Sequence, residues 1–394
     1  MKRKLVFINT HPIQYFAPLY QAITHDDTFD LEVWYCSKHG LNGEIDKQFG
    51  QAVKWDIPLL EGYQYRFLRN AFFPASIYGF WGLMNLEVIR LLFRLPKGSI
   101  LTVTGWSNFT YLISIFFGKI FGLTVCLRCE SPLHKELALN RLKRISKSFL
   151  LGKLLFKLVD YFLYIGTQNK VFYEYYGIKA NQLIFSPYAV DNIRFGREAA
   201  RLADSEQPKH LKTALDLPPD SKIALFTGKL YNIKRPFDLI QAFHQISDPN
   251  LGLIVVGDGE LRYTLEQYVR NHQMQNVVFV GFVNQSEISI YYAMANVIVL
   301  CSESETWGLS INEAMNFGLP AVVSDMVGCA GDLVKDGVNG SIFKKGNIEK
   351  LAEAIQQVLY SKDYSKMREA SRLIIQHYSY QASVNALKDR FATA

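Results

Sequence analysis

Short apolar runs recur along the whole chain and alternate with polar or amphipathic stretches. They include LVFIN, LEVWYC, SILTV and LTVCL in the first half and IALFT, LIVV, VVFV, NVIVL and PAVV in the second. Continuous apolar runs of this length are typical of parallel strands buried on both faces. Helical stretches such as 82–94 lie between them, which is the βαβ rhythm of α/β proteins. The pattern therefore predicts parallel sheets covered by helices.

The segment between NVIVL (296–300) and PAVVS (320–324) predicts a loop followed by a helix. The loop runs from Ser302 to Trp307, and Gly308 allows a close approach of the backbone before Ser310 or a neighbour caps the helix. Apolar residues at 311, 314, 315 and 317 follow helical spacing until the glycine and proline at 318 and 320. A helix that starts at the carboxyl end of a buried strand offers free N–H groups to a phosphate.

Two carboxylates, Glu305 and Glu313, bracket this turn at a spacing of eight residues. Eight residues is a little over two helical turns, so both side chains can face one cleft. One interpretation is that they accept hydrogen bonds from sugar hydroxyls on either side of a diphosphate. The other is that one complements the helix dipole and the second is a solvated surface glutamate.

This segment resembles the family-4 retaining glycosyltransferases of GT-B fold, whose signature is E-x7-E within a pattern like S-x-x-E-x-x-G-L-x-x-x-E-A-M-x-x-G-x-P-V-V. The matching residues are Glu305, Gly308, Leu309, Glu313, Ala314, Met315, Gly318 and Pro320. The resemblance implies two doubly wound Rossmann-like domains that face a central cleft. It also implies that Glu313 binds the nucleotide ribose, and that Glu305 and the backbone of 306–309 meet the donor sugar and diphosphate, which makes Thr306, Trp307, Gly308 and Leu309 donor-binding candidates.

Three further strand ends of the second half carry donor-site candidates. Gly228 ends the strand IALFTG, and Lys229 and Lys234 follow it at the spacing where the family has an Arg and a Lys that clamp the diphosphate. Lysine keeps the charge but lacks the planar two-pronged contact of arginine. Ordinary surface lysines are the alternative. Gly257 lies in a weak Gly-Asp-Gly signal, whereas Gly281 and Phe282 correspond to family positions that border the nucleobase.

Candidates on the acceptor side are His11 and Glu130, each at the carboxyl end of a predicted strand. Relatives carry a Gly-Gly loop at the first position and a histidine motif near the second, and this chain has neither. His11 could therefore contact substrate or form a structural hydrogen bond. Glu130 could bind an acceptor hydroxyl or pair with Arg128. Trp106 follows another strand and either stacks on a sugar or lipid or packs in the core.

The length of 394 residues suggests at least two domains. We predict an acceptor-binding domain over 1–190, a nucleotide-sugar-binding domain over 191–375 and a C-terminal helix over 376–394 that returns to the first domain. The loop-rich stretch 37–75 belongs to the first domain. The polar, proline-containing residues up to 219 favour a boundary near 190.

Five cysteines do not predict a disulfide framework. Cys126 and Cys129 form a C-x-x-C, but residues three apart on a strand point to opposite faces, and no second pair completes a zinc site. Buried thiols are the expectation, with no metal and no cofactor besides the donor. The first residues read as a strand rather than a signal peptide, and no apolar stretch reaches the length of a membrane span, so we expect a cytoplasmic protein.

Positive charge is concentrated in the first half of the chain. Residues 1–190 contain 22 Lys and Arg against 13 Asp and Glu, and residues 191–394 contain 21 against 23. Residues 135–157 hold seven of these cations, interleaved with leucine, isoleucine and phenylalanine. Such a basic amphipathic helix predicts contact with the anionic inner face of the membrane. A helix face that is only solvated is the alternative. No nucleic-acid-binding motif accompanies the charge.

The resemblance implies a metal-independent hexosyltransferase that moves a sugar with retention from a nucleotide-sugar donor, expected to be UDP-linked, to a glycan or lipid-linked acceptor. The bacterial members it resembles act in cell-surface polysaccharide synthesis. No D-x-D or Walker A motif is present. Charge on the departing nucleoside diphosphate must then be met by Lys229, Lys234 and the amides near Gly308. The alternatives are a non-catalytic nucleotide-sugar-binding protein and a sugar-nucleotide epimerase, which would need its own acid and base.

Overall fold

The computed structural model describes residues 2–41, 56–71 and 76–392, together with the backbone of 45–46 and 51–52. The chain divides into two compact units, one of Met1–Glu44, Ile57–Pro187 and Tyr380–Ala394, the other of Ile45–Asp56 and Tyr188–Ser379. Our predicted boundaries were 190 and 376, and the division lies next to Tyr188 and Tyr380. Part of the predicted loop-rich stretch 37–75 lies outside the described residues.

The first unit is built on a seven-stranded parallel sheet with the order β5-β2-β1-β6-β7-β8-β9. Its strands are β1 (Arg3–Asn9), β2 (Phe29–Tyr35), β5 (Tyr65–Phe67), β6 (Ile100–Val103), β7 (Thr124–Arg128), β8 (Tyr161–Tyr164) and β9 (Leu183–Phe185). Its helices are α1 (Ala17–Asp26), α2 (Glu87–Phe93), α3 (Phe109–Ile120), α4 (Leu133–Leu137), α5 (Arg141–Ser148), α6 (Thr167–Tyr175) and α15 (Tyr380–Phe391).

Alternate residues of β1 enter two separate cores, which is why its sequence is a continuous apolar run. Val6 and Ile8 face one core, and Leu5 and Phe7 face the other. Both cores are closed by helices, so the sheet is covered on both faces, as parallel sheets are. The predicted doubly wound α/β architecture is confirmed for this unit.

The second unit is built on a six-stranded parallel sheet with the order β12-β11-β10-β13-β14-β15. Its strands are β10 (Lys222–Thr227), β11 (Leu251–Val256), β12 (Val277–Gly281), β13 (Val297–Leu300), β14 (Ala321–Ser324) and β15 (Gly340–Phe343), and a short hairpin pairs β3 (Ile45–Asp46) with β4 (Gln51–Ala52). Its helices are α7 (Asn192–Ala203), α8 (Gln207–Ala214), α9 (Pro236–Ile246), α10 (Arg262–Asn271), α11 (Ile288–Met294), α12 (Leu309–Asn316), α13 (Ile348–Leu359) and α14 (Tyr364–Gln376).

The last helix, α15, packs on α1 within the first unit. The Tyr380 hydroxyl donates to the Tyr15 carbonyl at 3.0 Å, and the Lys388 ammonium lies 2.9 Å from the Asp26 carboxylate. These contacts tie the end of the described chain to the first elements of the fold.

The prediction of one continuous helix over 135–157 is wrong. Helix α4 ends at Leu137, and α5 begins after Asn140, whose side chain accepts a hydrogen bond from the Lys143 amide at 2.9 Å. The chain continues as a π-helical turn over Phe149–Leu154 and a 3-10 turn over Leu155–Leu158. A side-chain cap at 140 starts a new helix there, which apolar spacing alone does not reveal.

The five cysteines are free and buried. Cys126 lies in β7, and Cys129 lies one residue past its end. Burial raises the pKa of the Cys129 thiol to about 11. The prediction of buried thiols for this C-x-x-C is confirmed.

Candidate functional site

The Lys234 ammonium contacts the Glu305 carboxylate and joins the loops that follow two neighbouring strands. Lys234 ends a 3-10 turn after β10, and Glu305 lies in the loop after β13, which pairs with β10 in the sheet. The two side chains are only 22% and 17% exposed. Because carboxyl ends of adjacent parallel strands lie at one edge of the sheet, these two predicted catalytic candidates are brought together where α/β proteins bind ligands.

Backbone and thiol hydrogen bonds fix both loops of this ion pair. The Glu305 amide donates to the Met326 carbonyl at 3.1 Å, and the Cys301 thiol donates to the carbonyls of Lys234 and Arg235 at 3.3 and 3.1 Å. Burial raises the pKa of the Cys301 thiol to about 12, so the thiol keeps the proton that it donates. Cys301 was not predicted, because a thiol at a strand end has no motif of its own.

Gly308 precedes α12 as its N-cap residue and lies in the left-handed region, with φ of 102°. A Cβ there would lie 3.0 Å from the Leu300 side chain and 3.1 Å from that of Val327, so both the conformation and the space favour glycine. No side chain caps this helix, and the predicted cap at Ser310 is therefore wrong. The amides at the start of α12 are not occupied by a side-chain cap. Leu309 is its first residue and is half-buried.

Trp307 is 2% exposed and does not present its ring to solvent. Its indole N–H donates to the Asn312 amide oxygen at 2.8 Å, and the Asn312 NH₂ donates to the Tyr188 carbonyl at 3.0 Å. Trp307 and Thr306 can therefore serve a donor through their backbone, as the resemblance implies, while the indole holds α12 against the chain at 188.

Glu313 is 3% exposed, so the interpretation of it as a solvated surface glutamate is wrong. Its carboxylate accepts hydrogen bonds from the Tyr292 hydroxyl at 2.6 Å and from the Gln285 amide at 3.3 Å. Arg194 in turn donates to the Gln285 carbonyl at 2.7 Å. A carboxylate oxygen can accept more than one hydrogen bond. No recognisable motif contains Tyr292, Gln285 or Arg194, and none of the three was predicted.

Three of the four predicted donor-site glycines, Gly228, Gly257 and Gly281, lie together at the ends of β10, β11 and β12. The Gly228 amide donates to the Val256 carbonyl at 2.9 Å, and the Gly257 amide donates to the Gly281 carbonyl at 2.7 Å. A Cβ on Gly257 would lie 1.9 Å from the Gly228 carbonyl oxygen, so only glycine fits there. Phe282 follows Gly281 and is half-buried.

Arg262 lies against Gly281 and was not predicted. A Cβ on Gly281 would lie 2.9 Å from the Arg262 guanidinium. That guanidinium is held by Asp258 and Glu266, both at 2.9 Å. The two carboxylates raise the pKa of Arg262 further, so its charge is permanent.

Lys229 follows Gly228 directly and is half-buried, so both predicted clamp lysines belong to one loop. Nearby, the Ser304 hydroxyl is buried and finds no hydrogen-bond partner among the described residues. A buried hydroxyl of this kind, next to Glu305, fits a polar ligand. Across residues 2–41, 56–71 and 76–392, no group of three His, Cys, Asp or Glu side chains is arranged to hold a metal ion.

In the first unit, His11 lies two residues past β1 and is half-buried. Its Nδ1 is 2.8 Å from the Thr10 hydroxyl, and its ring meets the edge of His39 with centroids 5.3 Å apart. Burial, and then the charge of His39, lowers the pKa of His11 to about 4. The imidazole is therefore neutral near pH 7 and resists protonation.

Glu130 lies two residues past β7, and β6 separates β7 from β1 in the sheet. Glu130 and His11 therefore leave the sheet at strands that are not neighbours. Arg128, the alternative partner of Glu130, donates to the Ser186 hydroxyl at 2.8 Å. Trp106 packs against the core, where its ring stacks on Phe172 with centroids 6.0 Å apart.

Part of the chain is similar in sequence to known glycosyltransferases. Residues 209–373 match the family described as glycosyl transferases group 1. The chain is 34% identical over 145 residues to the alpha-monoglucosyldiacylglycerol synthase of Acholeplasma laidlawii, covering 36% of each protein. It is 30% identical over 165 residues to the N-acetyl-alpha-D-glucosaminyl L-malate synthase of Bacillus anthracis, covering 41% of this chain and 42% of that protein. The matched segments thus span about a third to a half of these curated relatives.

The fold is shared with solved structures along the full chain. Anabaena Alr3699/HepE in complex with UDP and glucose superposes with a TM-score of 0.71 at 16% identity, covering 100% of both chains. This likeness confirms the predicted two-domain α/β fold of GT-B type. Since the matched segment 209–373 contains the Lys234–Glu305 pair, Gly308 and Glu313, the resemblance is confirmed where it was drawn, and the chain carries a glycosyl transferases group 1 segment.

Proposed function

We propose that this protein is a retaining glycosyltransferase, close to family 4, that transfers a sugar from a UDP-linked donor to a glycan or lipid-linked acceptor in cell-surface polysaccharide synthesis. The observation that carries the proposal is the Lys234–Glu305 pair at the ends of β10 and β13, inside the segment that matches the group 1 glycosyltransferases. A cation held beside a carboxylate at this edge supplies charge for a diphosphate and an acceptor for sugar hydroxyls.

The donor occupies the second unit in this proposal. Its diphosphate contacts Lys234, Lys229 and the amides that begin α12, and its ribose hydroxyls donate to Glu313. Gly281 and Phe282 border the base. UDP is favoured because a solved protein of the same fold, Alr3699/HepE, has been obtained with UDP and with UDP-glucose. A lipid acceptor is favoured because a relative is named as a synthase of alpha-monoglucosyldiacylglycerol.

Transfer proceeds on one face of the donor sugar. The bond between the anomeric carbon and the diphosphate oxygen breaks, the acceptor oxygen bonds to the same face, and the departing phosphate takes the acceptor proton. Negative charge grows on the phosphate as the bond breaks, and Lys234 and Lys229 stabilise it. No metal is assigned a part in this proposal.

Residues 135–157 bring the first unit to an anionic membrane surface at its cytoplasmic face. Several of their apolar side chains are exposed, with Leu142 at 80% and Phe149 at 58%, and Arg141, Lys143 and Lys153 are exposed as well. Basic and apolar groups on one exposed segment favour adsorption to anionic lipid over a purely solvated face. Among the described residues, no helix combines the length and the apolarity needed to cross a bilayer.

The proposal is tested by incubating the protein with radiolabelled UDP-sugars, with and without lipid and glycan acceptors. Thermal-shift screening of nucleotides first identifies the donor base. Acceptor-dependent appearance of a labelled product with the donor's anomeric configuration is the expected result. Isomerised sugar nucleotide would instead indicate an epimerase, and donor binding without turnover across all acceptors would indicate a binding protein.

A further inference from the structure

A second exposed apolar surface lies in the first unit, outside residues 135–157. Of the 21 large hydrophobic side chains that are exposed among the described residues, 12 fall between residues 80 and 154. Six of them belong to α2, α3 and the turn before α2. This aromatic face consists of Phe80, Trp81, Leu86, Phe93, Phe116 and Ile120, which are 36%, 63%, 48%, 72%, 48% and 58% exposed.

Helix α3 is apolar on two sides, which a helix that only covers a sheet does not need. Tyr111 and Ile115 are buried against the core, while Phe116 and Ile120 point outward. Outward aromatic rings are packed on one another: Trp81 stacks on Phe109 with centroids 5.5 Å apart. An amphipathic surface helix would carry polar residues on its outer side. The apolar residues on the outer side of α3 therefore indicate that this side contacts an apolar partner.

The aromatic face and the basic segment 135–157 lie on the same side of the sheet. Leu92 of α2 and Ile115 of α3 pack into the same core cluster as Leu151 and Phe156 of the basic segment. Helix α3 also packs against the 3-10 turn over Leu155–Leu158. The two surfaces are therefore neighbours on one side of the first unit and can meet one partner together.

Positive charge is concentrated in the stretch of sequence that contains both surfaces. Residues 80–157 contain 12 Lys and Arg and 3 Glu, whereas the rest of residues 1–190 contains 10 cationic and 10 acidic residues. The whole positive excess of the first half is therefore confined to the stretch that exposes the apolar side chains. A second copy of this chain would bring two such positive surfaces together, which repulsion opposes. An anionic bilayer offers both hydrocarbon and compensating charge.

We propose that the aromatic face inserts into the interface of an anionic lipid bilayer, as a second membrane-binding element beside the basic segment. The proposal rests on the membrane contact in the proposed function and extends it from adsorption to insertion. Aromatic rings favour the membrane–water interface, where an apolar body and a polar edge are both accommodated. The basic segment supplies the part of binding that salt weakens, and the aromatic face supplies the part that salt does not weaken.

Trp81 provides a direct measurement, because it is 63% exposed whereas Trp34 and Trp307 are 1% and 2% exposed. The full-length protein is titrated with phosphatidylglycerol-containing vesicles, some of which carry acyl-chain bromines, and tryptophan emission is followed. The difference between wild type and Trp81→Phe isolates this side chain. A blue shift and bromine quenching of that difference signal are expected. A Trp81 signal that stays unquenched while the protein is bound would overturn insertion.

A double substitution tests how much the aromatic face contributes to the free energy of vesicle binding. Phe93→Ser with Phe116→Ser should lower vesicle partitioning about tenfold at high salt, since both lose apolar area buried in lipid. Leu373→Ser, at a residue 52% exposed in the second unit, is the matched control and should leave partitioning unchanged. Thermal unfolding verifies that the variants fold. Equal partitioning of the paired variant and the control would overturn the proposal.

Two further measurements distinguish lipid insertion from self-association and from the proposed activity. Sedimentation velocity without lipid measures self-association, and a dimer that dissociates in the Phe93→Ser, Phe116→Ser variant would assign the face to a second copy and overturn lipid insertion. Donor hydrolysis or transfer to a soluble acceptor is measured in parallel. Loss of vesicle binding with normal transfer in the paired variant is the expected result, whereas an enzymatically inactive wild type that still inserts would refute only the proposed activity.

Discussion

The Lys234 ammonium is held by the Glu305 carboxylate, across loops that follow neighbouring strands. Both side chains are largely buried, so each would be an uncompensated charge without the other. A bound diphosphate would compete for the ammonium and share it with Glu305. In the proposed function, the pair keeps a cation at the sheet edge, where charge develops when the donor bond breaks.

Lys234→Ala should lower kcat by roughly two to three orders of magnitude, the scale of losing one charge-stabilising donor. The effect falls on kcat because the phosphate charge grows in the transition state. Steady-state kinetics at saturating acceptor measure it, with thermal unfolding to verify the fold. Lys350→Ala is the control, since Lys350 pairs with Glu353 on the surface with 58% and 40% exposure. A near-normal kcat/KM for Lys234→Ala would refute the diphosphate clamp.

Glu313→Gln should instead raise the donor KM and leave kcat within a few-fold. Glutamine keeps the shape and removes the charge, and ribose hydroxyls are held in both ground and transition states. Tyr292→Phe is the informative companion, because it removes the hydroxyl that donates to Glu313 at 2.6 Å without reaching the donor directly. We expect a smaller rise in KM for Tyr292→Phe. Loss of kcat with unchanged KM in Glu313→Gln would show a direct part in the chemistry.

The buried runs and the motif between 302 and 325 were enough to predict the parallel sheets and the segment that matches the group 1 glycosyltransferases. Each parallel strand is buried on both faces, so its apolar run is visible in a single sequence. Gly257 and Gly308 could also be predicted from the sequence. Backbone crowding or a positive φ at these positions disfavours any residue with a side chain. Elements that depend on local geometry alone could therefore be predicted.

The remaining parts of the site depend on contacts between distant segments. Cys301 reaches the carbonyl of Lys234, and Gln285 reaches Glu313, over separations of 67 and 28 residues. No spacing rule connects such residues before the fold is known. The exposed face of α3 was not predicted. A helix that is apolar on both sides has the sequence pattern of a buried helix.

His11 should remain neutral down to about pH 4, because burial and His39 lower its pKa from the ordinary 6.5. Protonation then favours the unfolded chain. His11 has no effect on stability above pH 6.5, and the free energy of unfolding falls as the pH drops from 6.5 to 4, by on the order of 2 to 3 kcal/mol. NMR titration of ¹³C-labelled histidines measures the pKa directly, with His11→Gln for assignment and the exposed His210→Gln as control. A resonance lost in His11→Gln that titrates near 6.5 would contradict the assignment.

Transfer should survive chelation. The sequence contains no D-x-D, and the proposed function assigns the diphosphate charge to Lys229 and Lys234. Initial rates are compared before and after EDTA treatment, with magnesium and manganese added back. We expect a change of less than about twofold, since cationic side chains supply the stabilisation. Complete loss in EDTA with recovery on adding either metal would show that a metal carries that charge instead.

Neutralising the basic segment should weaken binding to anionic lipid. The substitutions are Arg141→Gln, Lys143→Gln and Arg144→Gln. Lys147 is kept, because its ammonium lies 2.5 Å from the Glu136 carboxylate, which is only 2% exposed, and its loss would leave a buried charge unpaired. Each cation near an anionic surface contributes roughly 1 kcal/mol, so three of them correspond to about a hundredfold in partitioning at low salt.

Vesicle sedimentation over a series of salt concentrations measures this loss and shows its electrostatic origin. Because salt screens charges within about 10 Å at 0.1 M, wild type and triple variant should converge as salt rises. The matched control neutralises three exposed lysines of the second unit, Lys344, Lys350 and Lys366, and should bind like wild type. Binding that is independent of anionic lipid, or equal loss in both triple variants, would mean that total charge or apolar contact, rather than this segment, brings the protein to the membrane.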